Sequence, residues 1–167
     1  VDPDAVLAAL PEDASAGRPH LARVLVDAGV VATVSEAFEK YLGDGSRYYL
    51  PRADTPVEHA IGMIAAAGGV TVLAHPWAYS RGPTVSADVI ADLAARGLSG
   101  LEVEHPNHEP STRQELRGLA AELDLLTTGS SDYHGSNKDT RLGAETTDPQ
   151  VYERLIALAT GGTPVRG

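Results

Sequence analysis

Three short stretches of this 167-residue chain concentrate side chains that can bind a metal or move a proton. They are Ala74-His75-Pro76-Trp77, Glu102-Val103-Glu104-His105-Pro106-Asn107-His108 and Thr128-Gly129-Ser130-Ser131-Asp132-Tyr133-His134-Gly135. Cysteine is absent, which removes disulfides, thiolate zinc sites and cysteine nucleophiles together. The six histidines and the carboxylates beside them must therefore carry any transition-metal chemistry. Asp132 and His134 are two residues apart, so in extended backbone they point to one side. A carboxylate and an imidazole sharing a face suit Zn²⁺, Mn²⁺ or Fe²⁺, and the glycines around them permit tight turns. An isolated Asp-x-His is a weak signal, and His75 at a neighbouring strand end strengthens it. His75 also reads as a core histidine donating to a backbone carbonyl; Pro76 fixes the chain's exit after it. Alternation puts Glu102 and Glu104 on one face and His105 on the other. For these residues and His108, solvated loop charge is favoured over metal ligation.

The elements that must position these groups are legible from periodicity. A helix over about Val57–Ala67 leads through Gly68-Gly69 into an apolar strand, Val70–Ala74. A helix over about Ser86–Arg96 leads to Gly100–Glu104, and one over about Ser111–Leu123 leads to Leu125–Thr128. A last helix spans about Pro149–Thr160. Strands alternating with helices of this length indicate parallel βα units, and strand runs nearly continuous in apolar residues are expected where both faces are covered. The carboxyl ends of such strands line active sites, and four of the six histidines follow them. Three units are too few to close a barrel, which takes roughly 200 residues or more. They form either a small open α/β domain or part of a larger barrel.

Before Pro51–Pro56 the chain reads as short helices: Asp4–Leu10, Pro19–Ala28 stopping at Gly29, and Ala37–Leu42 stopping at Gly43. Thr33 is the expected N-cap of the last, with Glu36 three residues on. Arg47–Pro51 reads as an extended connector. His20 falls in a first helical turn, near free N–H groups and the positive dipole end, where an anion is favoured. Arg18 precedes it, and Lys40, Arg47 and Tyr49 could add to an anion pocket. His59 lies on a helix and reads as structural. A surface arginine and a capping histidine are the competing interpretation of Arg18 and His20.

Composition sets limits on all of this. A net charge of −10 argues against broad binding to a nucleic-acid duplex, which needs a basic surface, but leaves room for a small anionic substrate. A hydrophobic fraction of 43% with 22% charged residues is too apolar for disorder. No run approaches the ~18 apolar residues of a membrane span. The acidic start, Val1-Asp2-Pro3-Asp4, lacks the basic region of a secretory signal, so a cytoplasmic location is expected.

Taken jointly, Gly17–Arg23 (with Arg18-Pro19-His20), Ala37–Leu42, Ala67–Pro76, Gly100–Val103 and Gly129–Gly135 resemble the PHP family. These are the polymerase-and-histidinol-phosphatase metallophosphoesterases. Order and spacing are similar to the subgroup that removes phosphate from nucleoside 3′,5′-bisphosphates and trims the 5′ ends of short oligonucleotides. The resemblance implies a distorted (β/α)7 barrel with two or three divalent ions, Mn, Zn or Fe, at its strand ends. It implies a metal-bound hydroxide as nucleophile. Residue by residue it makes His75, Asp132 and His134 metal ligands, and Arg18 and His20 a substrate-gripping pair in a helical insertion.

The family's early His-x-His motif is missing, as are its Thr-Asp-His-Asp segment and a further Glu and His. The chain thus resembles the C-terminal part of such a protein, lacking roughly the first hundred residues and about three strands. Residues 1–56 are then the helical insertion and 57–167 the C-terminal barrel portion. Each ion would have about one ligand from this chain, so weak metal binding and little phosphatase activity are expected of it alone. Its exposed edges could be covered by a second copy or by a separate N-terminal portion. Two other readings stand beside this one: a non-catalytic α/β binding or assembly module that has lost its metal centre, and a histidinol-phosphate phosphatase.

Overall fold

A computed structural model of the chain describes residues 2, 4, 8, 17–43, 45–50, 54–82, 84–135 and 139–162. The expected Asp4–Leu10 helix lies largely outside these residues. The chain divides into two compact units, Val1–Asp54 and Thr55–Gly167.

In the first unit, helix α1 (Arg18–Asp27) has Pro19 in its first turn, where the missing N–H costs nothing. It stops at Gly29, whose φ of 69° is the left-handed conformation that glycine adopts without a Cβ penalty. Helix α2 (Val34–Ala37) is capped as expected: Thr33 Oγ1 accepts the Glu36 N–H at 3.1 Å, and Glu36 Oε2 accepts the Ala32 N–H at 2.7 Å. The chain continues as a wider helical turn over Phe38–Leu42 and stops at Gly43. Ala22, Val31 and Ala37 are the buried centre, with Leu25, Phe38, Tyr41 and Leu42 packed around them. Arg47 and Tyr48 depart from the expected extended connector. They sit in a turn closed by the Tyr49 N–H donating to the Ser46 carbonyl at 3.0 Å.

In the second unit, helices and strands alternate: α3 (Val57–Ala66), β1 (Val72–Leu73), α4 (Ala87–Ala95), β2 (Gly100–Glu104), α5 (Pro110–Glu122), β3 (Leu126–Gly129) and α6 (Pro149–Leu158). The three strands form one parallel sheet in the order β1-β2-β3, with Val72 opposite Gly100 and Leu101 opposite Thr127. β1 is shorter than its apolar run, because only Val72 and Leu73 reach ladder partners on β2. Leu101 and Val103 pack with Ile61, Ile90, Leu93 and Leu116 in the core. Alternation places Glu102, between them, on the other face. Ser86 caps α4 and Asp148 caps α6, each by accepting a backbone N–H from the first turn.

Candidate metal centre

The exit of every strand carries a polar group, and backbone strain marks two of the three exits. His75, two residues after β1, has φ of 31°, and Asp132, three after β3, has φ of 47°. Non-glycine residues pay a steric cost in this region, and such residues cluster where a structure must aim a side chain. Each is held by a side-chain hydrogen bond. The His75 N–H donates to Glu102 Oε2 at 2.7 Å, and the Asp132 N–H donates to Ser130 Oγ at 3.1 Å.

Side chains from β2 and the loop after it pack between these exits. Glu102 is only 9% exposed, and His105 is wholly buried. The His75 and His105 rings lie 5.2 Å apart, centre to centre, and the His105 and His108 rings 5.3 Å apart. His105 Nε2 lies 3.5 Å from Asp132 Oδ2, close enough for electrostatic coupling but without hydrogen-bond geometry. On the far side of Asp132, His134 Nδ1 is 3.5 Å from Oδ1. His75, His105, Asp132 and His134 therefore form a continuous run of neighbours. Among the described residues, however, no three carboxylate or imidazole groups converge closely enough to hold one ion as they stand.

Hydrogen bonds fix which nitrogen of each ring carries the proton, because a carbonyl only accepts and a backbone N–H only donates. His134 Nδ1 contacts the Asp132 carbonyl at 2.7 Å, and His108 Nδ1 contacts the Val103 carbonyl at 2.9 Å. Both rings must donate there, so the neutral form of each keeps its lone pair on Nε2. This is the arrangement of a metal-binding imidazole steadied by a carbonyl. His105 is the reverse. Its Nδ1 accepts the Asn107 N–H at 3.0 Å, so the neutral ring carries its proton on Nε2, toward Asp132. Burial pushes the His105 pKa down, against the pull of Glu102 and Asp132, and so favours that neutral form. The Nε2 atoms of His105 and His108 are both buried without a hydrogen-bond partner, an unmet demand that a structure rarely leaves without purpose.

These geometries revise the expectation of solvated charge. Even Glu104, which stays partly exposed, is paired with Arg113 at 3.2 Å and with Arg117. Glu102, His105 and His108 are buried. The ladder is irregular between Glu102 and Glu104, so simple alternation misassigns the residues beyond Glu104. The loop after β2 turns back on itself, the His108 N–H donating to the His105 carbonyl at 3.0 Å. Arg113, which no sequence pattern singles out, pins that loop. It donates to the carbonyls of His108 at 3.0 Å and His105 at 2.8 Å, and to Glu145 Oε1 at 2.6 Å.

The third exit is anchored twice over. Thr147 Oγ1 accepts from the Gly129 N–H and donates to its carbonyl, both at 3.0 Å. A Cβ on Gly129 would sit 2.4 Å from the Thr146 carbonyl oxygen, so only glycine fits that approach. Beside Asp132 opens a cavity of about 470 Å³, lined by Ser80, Asn107, Ser131, Asp139 and Thr140 among others.

Arg18 and His20 belong to the first unit. Arg18 Nη1 donates to the Leu42 carbonyl at 3.0 Å. His20 Nδ1 accepts the Gly17 N–H at 3.2 Å, so the neutral ring carries its proton on Nε2, as a donor. His59, on α3, is exposed.

The second unit is thus an α/β unit with a parallel three-stranded sheet and histidine and carboxylate side chains at the strand exits. The fold matches a crystal structure from Bifidobacterium adolescentis described as a candidate metal-dependent phosphoesterase, with a TM-score of 0.86 and 37% identity, over 96% of this chain and 57% of that one. The chain is a relative of the PHP-type phosphoesterases. Within that class it is 34% identical over 131 residues to the 3′,5′-nucleoside bisphosphate phosphatase of Chromobacterium violaceum, covering 78% of this chain and 46% of that protein. It is also 35% identical over 117 residues to the 5′-3′ exoribonuclease Rnm of Salmonella typhimurium, covering 70% of this chain and 40% of the relative. The chain thus spans less than half the length of these two curated relatives. No family model matches it. Among the described residues, no helix is long and apolar enough to cross a membrane.

Proposed function

We propose that this chain is part of a PHP-type phosphoesterase that hydrolyses phosphate monoesters of small nucleotides such as nucleoside 3′,5′-bisphosphates. Residues 57–167 supply the C-terminal part of a distorted (β/α)7 barrel, and residues 1–56 a helical insertion. His75, Asp132 and His134 hold divalent ions, Mn, Zn or Fe, and Arg18 and His20 grip the substrate phosphate. A divalent ion bound there acidifies a water and neutralises charge on the phosphoryl oxygens.

The observation that carries this reading is the opposite proton placement on two histidines. His134 donates from Nδ1 and offers a lone pair at Nε2, as a metal requires. His20 accepts at Nδ1 and offers an N–H at Nε2, as a phosphate oxygen requires. Two further residues act by positioning. Glu102 holds the backbone of His75, and the His105 Nε2–H faces the Asp132 carboxylate, 3.5 Å from Oδ2. The buried, unpartnered Nε2 of His108 adds a further lone pair to the same cluster.

Calorimetric titration with Mn²⁺ or Zn²⁺ tests the assignment. The 167-residue chain binds weakly and saturably, and His134→Ala binds far more weakly still. A wild type that takes up no metal, or a His134→Ala variant that binds as well as wild type, overturns it. The three assigned ligands, even with His108 beside them, are too few for two or three ions that each need the three protein ligands of a stable catalytic zinc site. Phosphate release from adenosine 3′,5′-bisphosphate by this chain alone is accordingly expected at least about tenfold below that of a longer relative.

A further inference from the structure

The first unit has an open pocket of its own, of about 410 Å³, which the metal chemistry above does not use. Its volume lies toward the lower end of the roughly 300–1,000 Å³ of small-molecule sites. Half of its lining residues are three tyrosines and an arginine, Tyr41, Tyr48, Tyr49 and Arg18, and the rest are leucines and a glycine. The Arg18 guanidinium lies 5.4 Å from the centre of the Tyr49 ring and is tied to the Leu42 carbonyl, so it is held in place. The Tyr41 and Tyr48 rings are 5.8 Å apart and inclined at 43°. Arg47 lies over Tyr48, 4.7 Å from the ring centre, and donates to its hydroxyl.

Core packing does not account for this arrangement. The buried centre of the unit draws in Tyr41 but neither Tyr48 nor Tyr49, and Tyr48 remains 55% exposed. A large ring left at the mouth of a cavity, beside guanidinium groups in a chain of net charge −10, presents an aromatic surface and a local positive field together. A nucleotide is the small molecule that matches both, with a planar base at one end and an anion at the other. We infer that this cavity is a nucleobase site, in which the base stacks against Tyr48 at the mouth and the phosphate lies toward Arg18. Every base has a π face, so the site takes purines and pyrimidines alike. The choice of a base over other planar ligands rests on the nucleotide substrate proposed above.

The test is done on the whole chain in EDTA, so that metal chemistry plays no part. Calorimetry or ligand-observed NMR compares adenosine 5′-monophosphate with ribose 5-phosphate, which differ only in the base. The expected preference for the nucleotide is about five- to hundredfold, the range of one base–aromatic stack. Tyr48→Ala reduces that preference to within about twofold and Tyr48→Phe keeps it, because the ring rather than the hydroxyl stacks. Equal binding of the two ligands by wild type overturns the inference without need of any variant, as does a Tyr48→Ala protein that keeps the preference. Metal titration of the same samples separates this outcome from the phosphoesterase reading. If the base preference holds while no metal binds, the phosphoesterase reading fails and the nucleobase site stands; the converse result sinks only the site.

Discussion

Glu102 and Glu104 stand two residues apart on the same central strand, and their surroundings are opposites. Glu104 meets two guanidinium groups, Arg113 and Arg117, on the next helix. Arg113 goes on to bind Glu145 and two loop carbonyls, so every charge in that group is answered. Glu102 meets no guanidinium in any hydrogen bond or ion pair of the described residues. Its carboxylate accepts one backbone N–H, from a residue in left-handed conformation, and lies near a buried imidazole. One side of the strand end has its polar groups matched within the protein. The other keeps strained backbone and unpartnered nitrogens, which lower stability unless something else binds there.

Substitutions on the two sides should therefore fail in different ways. The largest effect is expected at Asp132. Asp132→Asn removes the charge between His105 and His134, and metal affinity should fall by more than the about hundredfold typical of outer-shell changes. Calorimetry with Mn²⁺ reads this directly, and an affinity within about threefold of wild type would place the metal elsewhere. Glu102 comes next. Glu102→Ala releases the His75 backbone and should cost about 10- to 100-fold in metal affinity, whereas Glu102→Gln retains an oxygen to accept that N–H and keeps most of it. If the two variants behave alike, the carboxylate acts by its charge and not by holding the backbone.

On the matched side the loss should appear in folding and not in metal affinity. Arg113→Ala leaves two carbonyls and two carboxylates short of a donor. Discounted for partial exposure, the cost is about 1–2 kcal/mol, read as a lower urea midpoint in metal-free protein. A variant with unchanged stability and lost metal binding would erase the distinction between the two sides.

How far the sequence could reveal this distinction depends on what each feature rests on. The alternating elements of the second unit rest on apolar periodicity, and the observed helices and strands fall within a few residues of that expectation. β2 coincides with it at both ends, because Gly100 marks its start and Leu101 and Val103 alternate with Glu102 and Glu104 along it. The Thr33 cap was equally visible, being a local pattern of residue types. The burial of His105 and His108 was not, since it depends on a loop folded back by an arginine eight residues beyond His105 in sequence. A lone arginine on a helix face carries no mark of such a role. Residue type alone does not announce the left-handed backbone of His75 and Asp132, although Asp and His adopt it more often than most non-glycine residues. The proton placement on each ring needs partners at known distances, and so belongs to the structure alone.

The smallest expected effect lies away from both sides, on the exposed pair of Glu36 and Lys40, 2.6 Å apart and one helical turn from each other. The Lys40 hydrogen bond, and after it the Ala32 N–H, holds the Glu36 carboxyl below its usual value of 4.5. A carboxyl more acidic in the folded than in the unfolded chain stabilises the fold above the unfolded value, and that contribution fades as pH falls through the lowered one. Melting of the first unit, monitored by helical circular dichroism from about pH 6 downward, should show this loss below about pH 4.5, and Glu36→Gln should flatten it. Because both side chains meet solvent, high salt should remove most of the difference between wild type and variant. A pH dependence that survived high salt would assign the stabilisation to the cap and its backbone hydrogen bond. Glu36 would then resemble Glu102, a carboxylate whose work is to hold a main-chain N–H, more than Glu104, whose work is to answer a charge.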